Sequence, residues 1–435
     1  MRSSPVPQGV AAEAAPSVYR GILVVGGGIA GITAAVEAAE AGYEVYLVEK
    51  GPSLGGRVAQ LAKYFPKLCP PYCGLEINFQ RIKKEPRIRV FTLADVDRIE
   101  GRPGSFEVTV TLRPRRVNDR CTACDACAAV CPVDRPNEFN FGMGTTKAIY
   151  LPHEMAFPME YVIDDKACLG SECAKCVDAC RYGAIDLTAE SRTLSLKVGA
   201  VVMATGWRPY DAARIDNLGF GKYPNVITNV MLERLAAPNG PTRGKILRPS
   251  DGGPVRSAAF IQCAGSRDVN HLGYCSSICC LASLKEVTYL RQQDPSAKAY
   301  IFYIDLRTPT YAEFAQKVLS DPNVSVMKGK VASVLEDPQT KCLMVEAEDI
   351  LRAEKITLTV DLVVLATGMV PSLEGAKLDA GVKLDGGSFV VPGDSGAGIF
   401  AAGCARSPVD VATATQEGTA AALQAIGAIQ GAARR

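Results

Sequence analysis

The residues best suited to chemistry in this sequence are its 16 cysteines, most of which occur in clusters. One run has C-x2-C-x2-C-x3-C-P spacing and consists of Cys121, Cys124, Cys127, Cys131 and Pro132. A second run has a longer first gap and consists of Cys168, Cys173, Cys176 and Cys180. The first spacing is typical of bacterial [4Fe–4S] proteins, and two four-thiolate zinc sites are the alternative.

The two runs predict two [4Fe–4S] clusters with exchanged ligands. In two-cluster ferredoxins the fourth cysteine of each run binds the cluster of the other run. One cluster is therefore predicted on Cys121, Cys124, Cys127 and Cys180. The other is predicted on Cys168, Cys173, Cys176 and Cys131. Both lie in residues 113–190, which we predict to be an inserted, bacterial-type two-cluster ferredoxin domain.

The remaining cysteines leave more than one interpretation open. A third group consists of Cys263, Cys275, Cys279 and Cys280. By spacing alone, an atypical cluster, a redox dithiol and buried free thiols are alternatives. Cys69 and Cys73 are candidates for a catalytic redox dithiol, for cluster ligands completed by a partner chain, or for structural thiols.

A glycine-rich turn precedes all of these cysteines. Residues 21–25 form an apolar run typical of a buried parallel strand, and helical sequence begins near residue 32. Gly26 permits the tight turn, Gly28 lets a diphosphate approach the backbone, and Gly31 lets the helix pack on the strand. Glu49 ends the next strand, where it is placed to accept a hydrogen bond from a ribose hydroxyl. These features predict a dinucleotide site.

Several further features resemble flavoproteins of the thioredoxin-reductase type. They are Gly55-Gly56-Arg57, the two Ala-Thr-Gly strand ends at 204–206 and 366–368, and the strand before Gly403. The resemblance implies FAD, with Cys404 where that family has an aspartate. The predicted FAD-binding residues are Gly26, Gly28, Ile29, Ala30, Gly31, Glu49, Lys50, Gly55, Gly56, Arg57, Val96, Ala204, Thr205, Gly206, Gly368, Gly403, Cys404, Asp410 and Val411. Residues 262–267 keep one glycine where a nicotinamide motif would stand, so we expect no NAD(P)H site there.

The predicted fold class is α/β, with two nested Rossmann-like dinucleotide-binding domains and the ferredoxin-like insert. The FAD-binding domain comprises residues 21–112, 191–212 and 362–435, and residues 1–20 form a flexible tail. The second Rossmann-like domain, with the third cysteine group, comprises residues 213–361. A net charge of +2 gives no broad attraction to nucleic acid, and a 48% hydrophobic content argues against disorder. We also expect no transmembrane segment and no secretory signal.

The region around the third cysteine group resembles heterodisulfide reductase A-type flavoproteins, which implies a third, atypical [4Fe–4S] cluster. Four segments narrow the resemblance to A subunits of quinone-interacting membrane-bound oxidoreductases (Qmo): residues 63–78, 150–158, 204–212 and 225–241. That resemblance implies an oxidoreductase subunit that passes electrons between the menaquinone pool and adenylylsulfate (APS) reductase in dissimilatory sulfur metabolism.

The implied partners are APS reductase, a sister iron–sulfur flavoprotein and a haem-containing membrane subunit. The implied location is the cytoplasmic face of the inner membrane, reached only through those partners. Two alternatives remain. One is a soluble heterodisulfide reductase A-like subunit of a thiol-oxidising, sulfur-oxidising or electron-bifurcating complex. The other is an NAD(P)H-dependent disulfide reductase that uses Cys69 and Cys73.

Overall fold

The computed structural model describes residues 18–434 apart from 66, 309, 376–380 and 392–397, so most of the predicted tail lies outside it. The α-helices are α1 (Ile29–Glu40), α2 (Pro71–Lys84), α3 (Ala126–Val130), α4 (Lys175–Ala179), α5 (Asn229–Ala236), α6 (Cys279–Gln293), α7 (Ala312–Leu319) and α8 (Val411–Ala433). The strands are β1 (Ile22–Val25), β2 (Val45–Val48), β3 (Ile88–Phe91), β4 (Ala94–Arg102), β5 (Ser105–Leu112), β6 (Asp134–Pro136), β7 (Thr145–Lys147), β8 (Ile149–Tyr150), β9 (Val162–Ile163), β10 (Arg192–Val198), β11 (Ala200–Met203), β12 (Trp207–Pro209), β13 (Val226–Thr228), β14 (Ser257–Ala264), β15 (Lys298–Tyr303), β16 (Val324–Lys328), β17 (Val331–Glu336), β18 (Leu343–Asp349), β19 (Glu354–Val360), β20 (Leu362–Thr367), β21 (Met369–Pro371) and β22 (Ile399–Ala401).

The first parallel sheet has the strand order β22-β11-β1-β2-β3. Its central strand, β1, is an uninterrupted apolar run, as expected for a strand covered on both faces. Helices α1 and α8 pack against each other on one face, and their small residues permit close approach. The three-stranded antiparallel sheet β10-β5-β4 covers the other face through Val108, Val110 and Val198.

The second parallel sheet has the order β13-β20-β14-β15-β16, and all five strands fall between β11 and β22 in the chain. The two parallel sheets are therefore nested, as predicted from the repeated strand ends. β20 pairs with β13 and β14, so residues 362–367 belong to the second sheet. The predicted boundary at 361 is wrong here, because this Ala-Thr-Gly end terminates a strand of the second unit rather than of the first.

Two other elements differ from the sequence prediction. The antiparallel sheet β17-β18-β19 was not predicted. Buried and exposed residues alternate along β18, and the buried ones pack on one face of the second parallel sheet. Helix α2, also not predicted above, begins at Pro71, and proline is well suited to the first position of a helix. This start places Cys73 in the first turn of α2.

Residues 113–190 contain only short elements around a small core. Helices α3 and α4 pack together, and β6-β7 and β8-β9 form two hairpins. The core contains Val117, Ile149, Ile163 and six partly or fully buried cysteines of the two runs. Such a small apolar core stabilises a segment of this length weakly, so bound metal would add stability here. Within the described ranges, no helix has both the length and the apolar character needed to cross a bilayer.

Candidate functional site

A cavity of about 790 Å³ opens at the carboxyl ends of β1 and β11. Its walls come from several parts of the chain: the glycine turn with the start of α8, residues 49–65, residues 135–153 of the cysteine-rich segment, and helices α5 and α6. Parallel sheets bind ligands at the carboxyl ends of their strands, so this is the expected edge. The cavity is large enough for a cofactor of dinucleotide type.

The glycine turn is sterically required. A Cβ on Gly31 would lie 1.9 Å from the Gly26 carbonyl oxygen, and a Cβ on Gly56 would lie 2.8 Å from the Gly28 Cα. Gly28 itself has open space around it and is the N-cap of α1 without a side-chain hydrogen bond. The first N–H groups of α1 therefore face the cavity without a capping partner, which suits a bound diphosphate.

Glu49 lies beside this turn and orders it. Its carboxylate accepts hydrogen bonds from the N–H groups of Gly27 and Gly51, both at 2.6 Å. Burial raises the pKa of Glu49, and these two hydrogen bonds oppose that rise. The residue also lines the cavity, where the sequence prediction placed it as the ribose ligand.

Most of the predicted FAD-binding residues line the cavity. They are Gly26, Gly28, Ile29, Ala30, Glu49, Gly56, Arg57, Ala204, Thr205, Gly206, Cys404, Asp410 and Val411. Arg57 is held at its edge, where Nε donates to the Trp207 carbonyl at 3.1 Å and Nη1 to Gln60 at 2.9 Å. Asp410 caps α8 by accepting the Thr413 N–H at 2.8 Å, so its carboxylate is partly committed to the helix.

The other six predicted residues lie away from the cavity wall. Gly31, Gly55 and Gly403 act through backbone geometry, since Gly55 and Gly403 have positive φ angles of 112° and 61°. Lys50 is exposed and pairs with Asp95 at 3.8 Å. Val96 belongs to β4 and packs against the apolar core between that antiparallel sheet and the first parallel sheet. Gly368 follows β20 and faces Leu272 and Ser276, near the third cysteine group.

Sequence reasoning missed the wall formed by the cysteine-rich segment. His153 lines the cavity, lies 3.2 Å from the Ser53 hydroxyl and stacks on Phe139 at a centroid distance of 4.8 Å. Burial and the nearby Arg234 charge lower the pKa of His153 to about 4. The imidazole is therefore neutral at physiological pH, and its contact with the Ser53 hydroxyl is a hydrogen bond between uncharged groups.

Arg234 joins three of the parts of the chain that surround the cavity: helix α5 itself, residues 49–65 and the cysteine-rich segment. Its side chain is 0% exposed and its guanidinium lies 4.6 Å from the centre of the Phe139 ring. It donates to Asn140 at 2.9 Å, to the Gln60 carbonyl at 3.3 Å, and to the carbonyl and side chain of Asn239 at 3.0 and 2.9 Å. Burial lowers the pKa of Arg234 to about 10, so it remains charged.

One predicted set of cluster ligands surrounds a second, small cavity. Its lining includes all four cysteines predicted for the cluster of the second run: Cys131, Cys168, Cys173 and Cys176. Cys131 and Cys168 are near enough for their charges to raise the pKa of Cys176, after burial as the main cause. The structure thus brings Cys131 to the second run, which sequence order alone would not do.

The other predicted set in this segment is more open. Cys127 is buried and Cys121 and Cys180 are partly buried in the same small core, whereas Cys124 is exposed. Burial raises the pKa of Cys127 to about 12, and the neighbouring Cys121 adds to the rise. Cys124 differs, because the Ala126 N–H lowers its pKa.

The third cysteine group also converges. Cys263 lies one residue before the end of β14 and has a φ of 56°, and Cys279 and Cys280 begin the first turn of α6. Cys263 and Cys275 both act on the pKa of Cys279, which burial raises. Ser277 and Ile278, which directly precede Cys279, line the large cavity. The cysteine group and the cavity therefore share a wall.

Cys69 and Cys73 lie apart from the other three groups. Cys73 is exposed and Cys69 is partly exposed. Burial raises the pKa of Tyr64, which lines the cavity, and the charges of Cys69 and Cys73 add to this rise. Among the described residues, no three histidine, cysteine or acidic side chains converge as ligands of a single metal ion. A [4Fe–4S] cluster asks for a wider arrangement, because its thiolates bind different iron atoms.

Known proteins similar to this chain belong to flavoprotein groups. Residues 21–81 match the FAD dependent oxidoreductase family. The iron–sulfur A subunit of the CoB–CoM heterodisulfide reductase of Methanocaldococcus jannaschii is 42% identical over 426 residues, covering 93% of this chain and 64% of that protein. The A subunit of the H(2)/formate:CoB-CoM heterodisulfide,ferredoxin reductase of Methanococcus maripaludis is 38% identical over 436 residues, covering 95% and 65%. The chain thus spans slightly less than two thirds of these relatives.

Two solved structures resemble the fold. The thioredoxin reductase of T. acidophilum has a TM-score of 0.52 at 16% identity and covers 94% of this chain and 98% of its own. That of Lactococcus lactis has a TM-score of 0.53 at 13% identity and covers 95% and 99%. The α/β architecture described above is therefore similar to the fold of thioredoxin reductases.

Proposed function

Because the A subunits of heterodisulfide reductases are homologues of this chain, we propose that it is an oxidoreductase subunit that transfers electrons through FAD and [4Fe–4S] clusters. The observation that carries this proposal is the wall shared by the large cavity and the third cysteine group. Ser277 and Ile278 line the cavity, and Cys279 follows them in the chain. A flavin in the cavity and a cluster on Cys263, Cys275, Cys279 and Cys280 would be neighbours.

The chain's own residues suit this arrangement. FAD supplies the exchange between two-electron and one-electron steps, and each cluster carries single electrons. The uncapped start of α1 would hold the diphosphate, and Arg57 would face it or the ring with a fixed positive charge. The first turn of α6 lacks a side-chain cap, so its N–H groups would stabilise the negative charge of a cluster bound by Cys279 and Cys280.

We further propose that residues 113–190 are a two-cluster ferredoxin domain that connects the flavin to a partner. The grouping of Cys131 with Cys168, Cys173 and Cys176 supports this proposal. The other cluster would use Cys121, Cys124, Cys127 and Cys180, whose exposed edge at Cys124 suits electron exchange with another protein. Electrons would then pass between the cavity, which residues 135–153 help to line, and the exposed cluster at the protein surface.

The exchanged ligands can be tested with Cys131→Ala, with Cys342→Ala as the control because Cys342 lies outside every group. Anaerobically purified variants are assayed for iron and for cysteines that react with iodoacetamide. Cys131→Ala should lose about four iron atoms per chain. It should also expose the cysteines of the second run to alkylation: Cys168, Cys173 and Cys176. Alkylation of Cys121, Cys124 and Cys127 instead would show that each run binds its own cluster.

For the physiological role we propose the Qmo-like assignment. Electrons would pass between the menaquinone pool and APS reductase, and the other partners would be a sister iron–sulfur flavoprotein and a haem-containing membrane subunit. The resemblance of residues 63–78 and 225–241 supports this role. The 42% identity to a heterodisulfide reductase subunit supports the second candidate, a heterodisulfide reductase A-like subunit of a soluble complex.

These two roles differ in their partners. An anaerobic pull-down from native membranes in mild detergent, with partners identified by mass spectrometry, tests them directly. Recovery with a second flavoprotein and a haem-containing membrane subunit is the expected result. Recovery only from the soluble fraction, with a subunit rich in cluster-binding cysteines, would favour the heterodisulfide reductase A-like role. In either case the purified chain should release FAD on denaturation.

A further inference from the structure

Helices α5 and α6 bring two glutamates and a lysine together inside the protein, on the wall of the large cavity. Glu286 is 0% exposed, Glu233 is 3% exposed and Lys285 is 4% exposed. All three line the cavity. Burying one charged side chain is costly unless it is paired. The question is therefore which of these three side chains are ionised.

Glu233 is well supplied with donors. Its Oε2 accepts the Ala62 N–H at 2.8 Å and the Tyr289 hydroxyl at 3.3 Å. Lys285 Nζ lies 2.9 Å from its Oε1 as an ion pair, without the alignment of a hydrogen bond, and donates instead to the Lys63 carbonyl at 2.6 Å. Glu233 is thus stabilised as a carboxylate, and its Oε1 can still accept one aligned hydrogen bond.

Glu286 has the opposite situation. Neither of its carboxyl oxygens has a hydrogen-bond donor, although both are fully buried. It lies within hydrogen-bond reach of the Glu233 carboxylate. If both groups were ionised, two acceptors would face each other without a donor. One proton between them supplies that donor, as in other carboxyl pairs that cannot both ionise.

The surrounding charges agree with one retained proton. The titratable groups that face Glu286 are Glu233 from α5 and Lys285 and Tyr289 from its own helix, and the Lys63 ammonium lies over the Tyr289 ring at 5.8 Å. Lys285 balances one negative charge, so a second carboxylate would be unpaired. Burial, reinforced by Glu233, raises the pKa of Glu286 well above its usual range.

We propose that Glu233 and Glu286 share one proton and form a proton-donating site on the cavity wall. The proton-donating role rests on the proposed function, since it needs a cofactor in the cavity that takes up a proton when it is reduced. In that step the O–H bond of the pair breaks and the proton moves to the reduced cofactor. Two carboxylates remain beside Lys285 while the cofactor stays reduced, and the proton returns to the pair when the cofactor is reoxidised. No electron passes through the pair, because electrons arrive through the clusters.

Infrared spectroscopy of the whole purified chain at neutral pH tests the shared proton. The wild type should show the carbonyl stretch of one protonated carboxyl group, shifted downward in D2O. Glu286→Gln should lose this band, since the amide keeps the size of the side chain and can donate to Glu233. Glu313→Gln, at an exposed site on α7, should keep it. Absence of the band in the wild type, or its persistence in Glu286→Gln, would overturn the proposal.

A second measurement tests the donation. On dithionite reduction the band should disappear in the wild type, and the number of protons taken from solvent per reduced chain should rise by one in Glu286→Gln. A band unchanged by reduction of a flavin-containing chain would refute the donating role. FAD content is measured separately on the same samples. A wild-type chain without FAD would refute the proposed function, whereas the neutral-pH band would still decide whether the proton is shared.

Discussion

Replacing Arg234 by methionine should weaken the contact of α5 with Gln60 and Asn140 on the cavity wall. We call this contact the junction. Methionine fills much of the volume but removes four hydrogen bonds to neutral oxygen atoms of Gln60, Asn140 and Asn239. A hydrogen bond from a charged group contributes about 1.5–3 kcal/mol, and the relief of burying the charge offsets part of the loss. We therefore expect the junction to weaken by about 3–5 kcal/mol.

Hydrogen exchange of backbone amides measures this local effect. Residues 137–143 form a turn in which Asn140, Gly142 and Met143 donate backbone hydrogen bonds. If the junction opens locally, about 3 kcal/mol corresponds to exchange at least about 100-fold faster in that turn. Amides of the β14–β15 pair should change little. FAD should also dissociate faster, because the same turn contributes to the cavity wall.

A matched control and a clear refutation are available. Arg192→Met replaces an exposed arginine at the start of β10 and should leave the turn unchanged. Arg234→Lys keeps the charge but loses the forked donor, so it should fall between the wild type and methionine. Wild-type exchange rates across residues 137–143 in folded Arg234→Met would show that the buried guanidinium does not hold the three parts together.

Two further outcomes follow from the site. Gly31→Ala would place a methyl group 1.9 Å from the Gly26 carbonyl oxygen, so the turn must shift. The FAD content of this variant after gel filtration should fall at least about 10-fold. The control Gly427→Ala has open space around the new methyl group and should retain FAD. His153 has a folded pKa of about 4 against 6.5, so the unfolded chain binds a proton between these values that the folded chain refuses, and stability falls as pH drops below 6.5. Comparison of urea unfolding at pH 7 and pH 5 should show up to about 2 kcal/mol more acid destabilisation in the wild type than in His153→Gln, and equal losses would contradict the assignment.

The parts of the fold that depend on local pattern were predictable from sequence. The apolar run of β1 and the glycines after it indicate one edge of a parallel sheet, and the structure places most of the residues predicted from them on the cavity wall. The geometry of the glycine turn is set by residues close in sequence. The cluster on Cys131, Cys168, Cys173 and Cys176 stays a prediction, and these four cysteines line one small cavity.

The opposite wall of the cavity was not predictable in this way. Glu233, Arg234, Lys285 and Glu286 lie on helices, where charged residues ordinarily face solvent. They are buried because α5 and α6 pack against residues 60–63 and the 137–143 turn, which are distant in sequence. Adjacent charges of both signs within largely apolar helices were the available signal, and that signal is weak without the fold.

The layout of the first sheet also determines when the cavity can be completed during synthesis. β22 and the start of α8 follow all the other strands in the sequence, yet β22 pairs with β11 and α8 packs on α1. Until these two elements are made, the ribosome-bound chain carries an open strand edge and a half-built cavity. A chain that stops before β22 would lack this sheet edge and the α8 wall of the cavity, so such a fragment should not retain FAD.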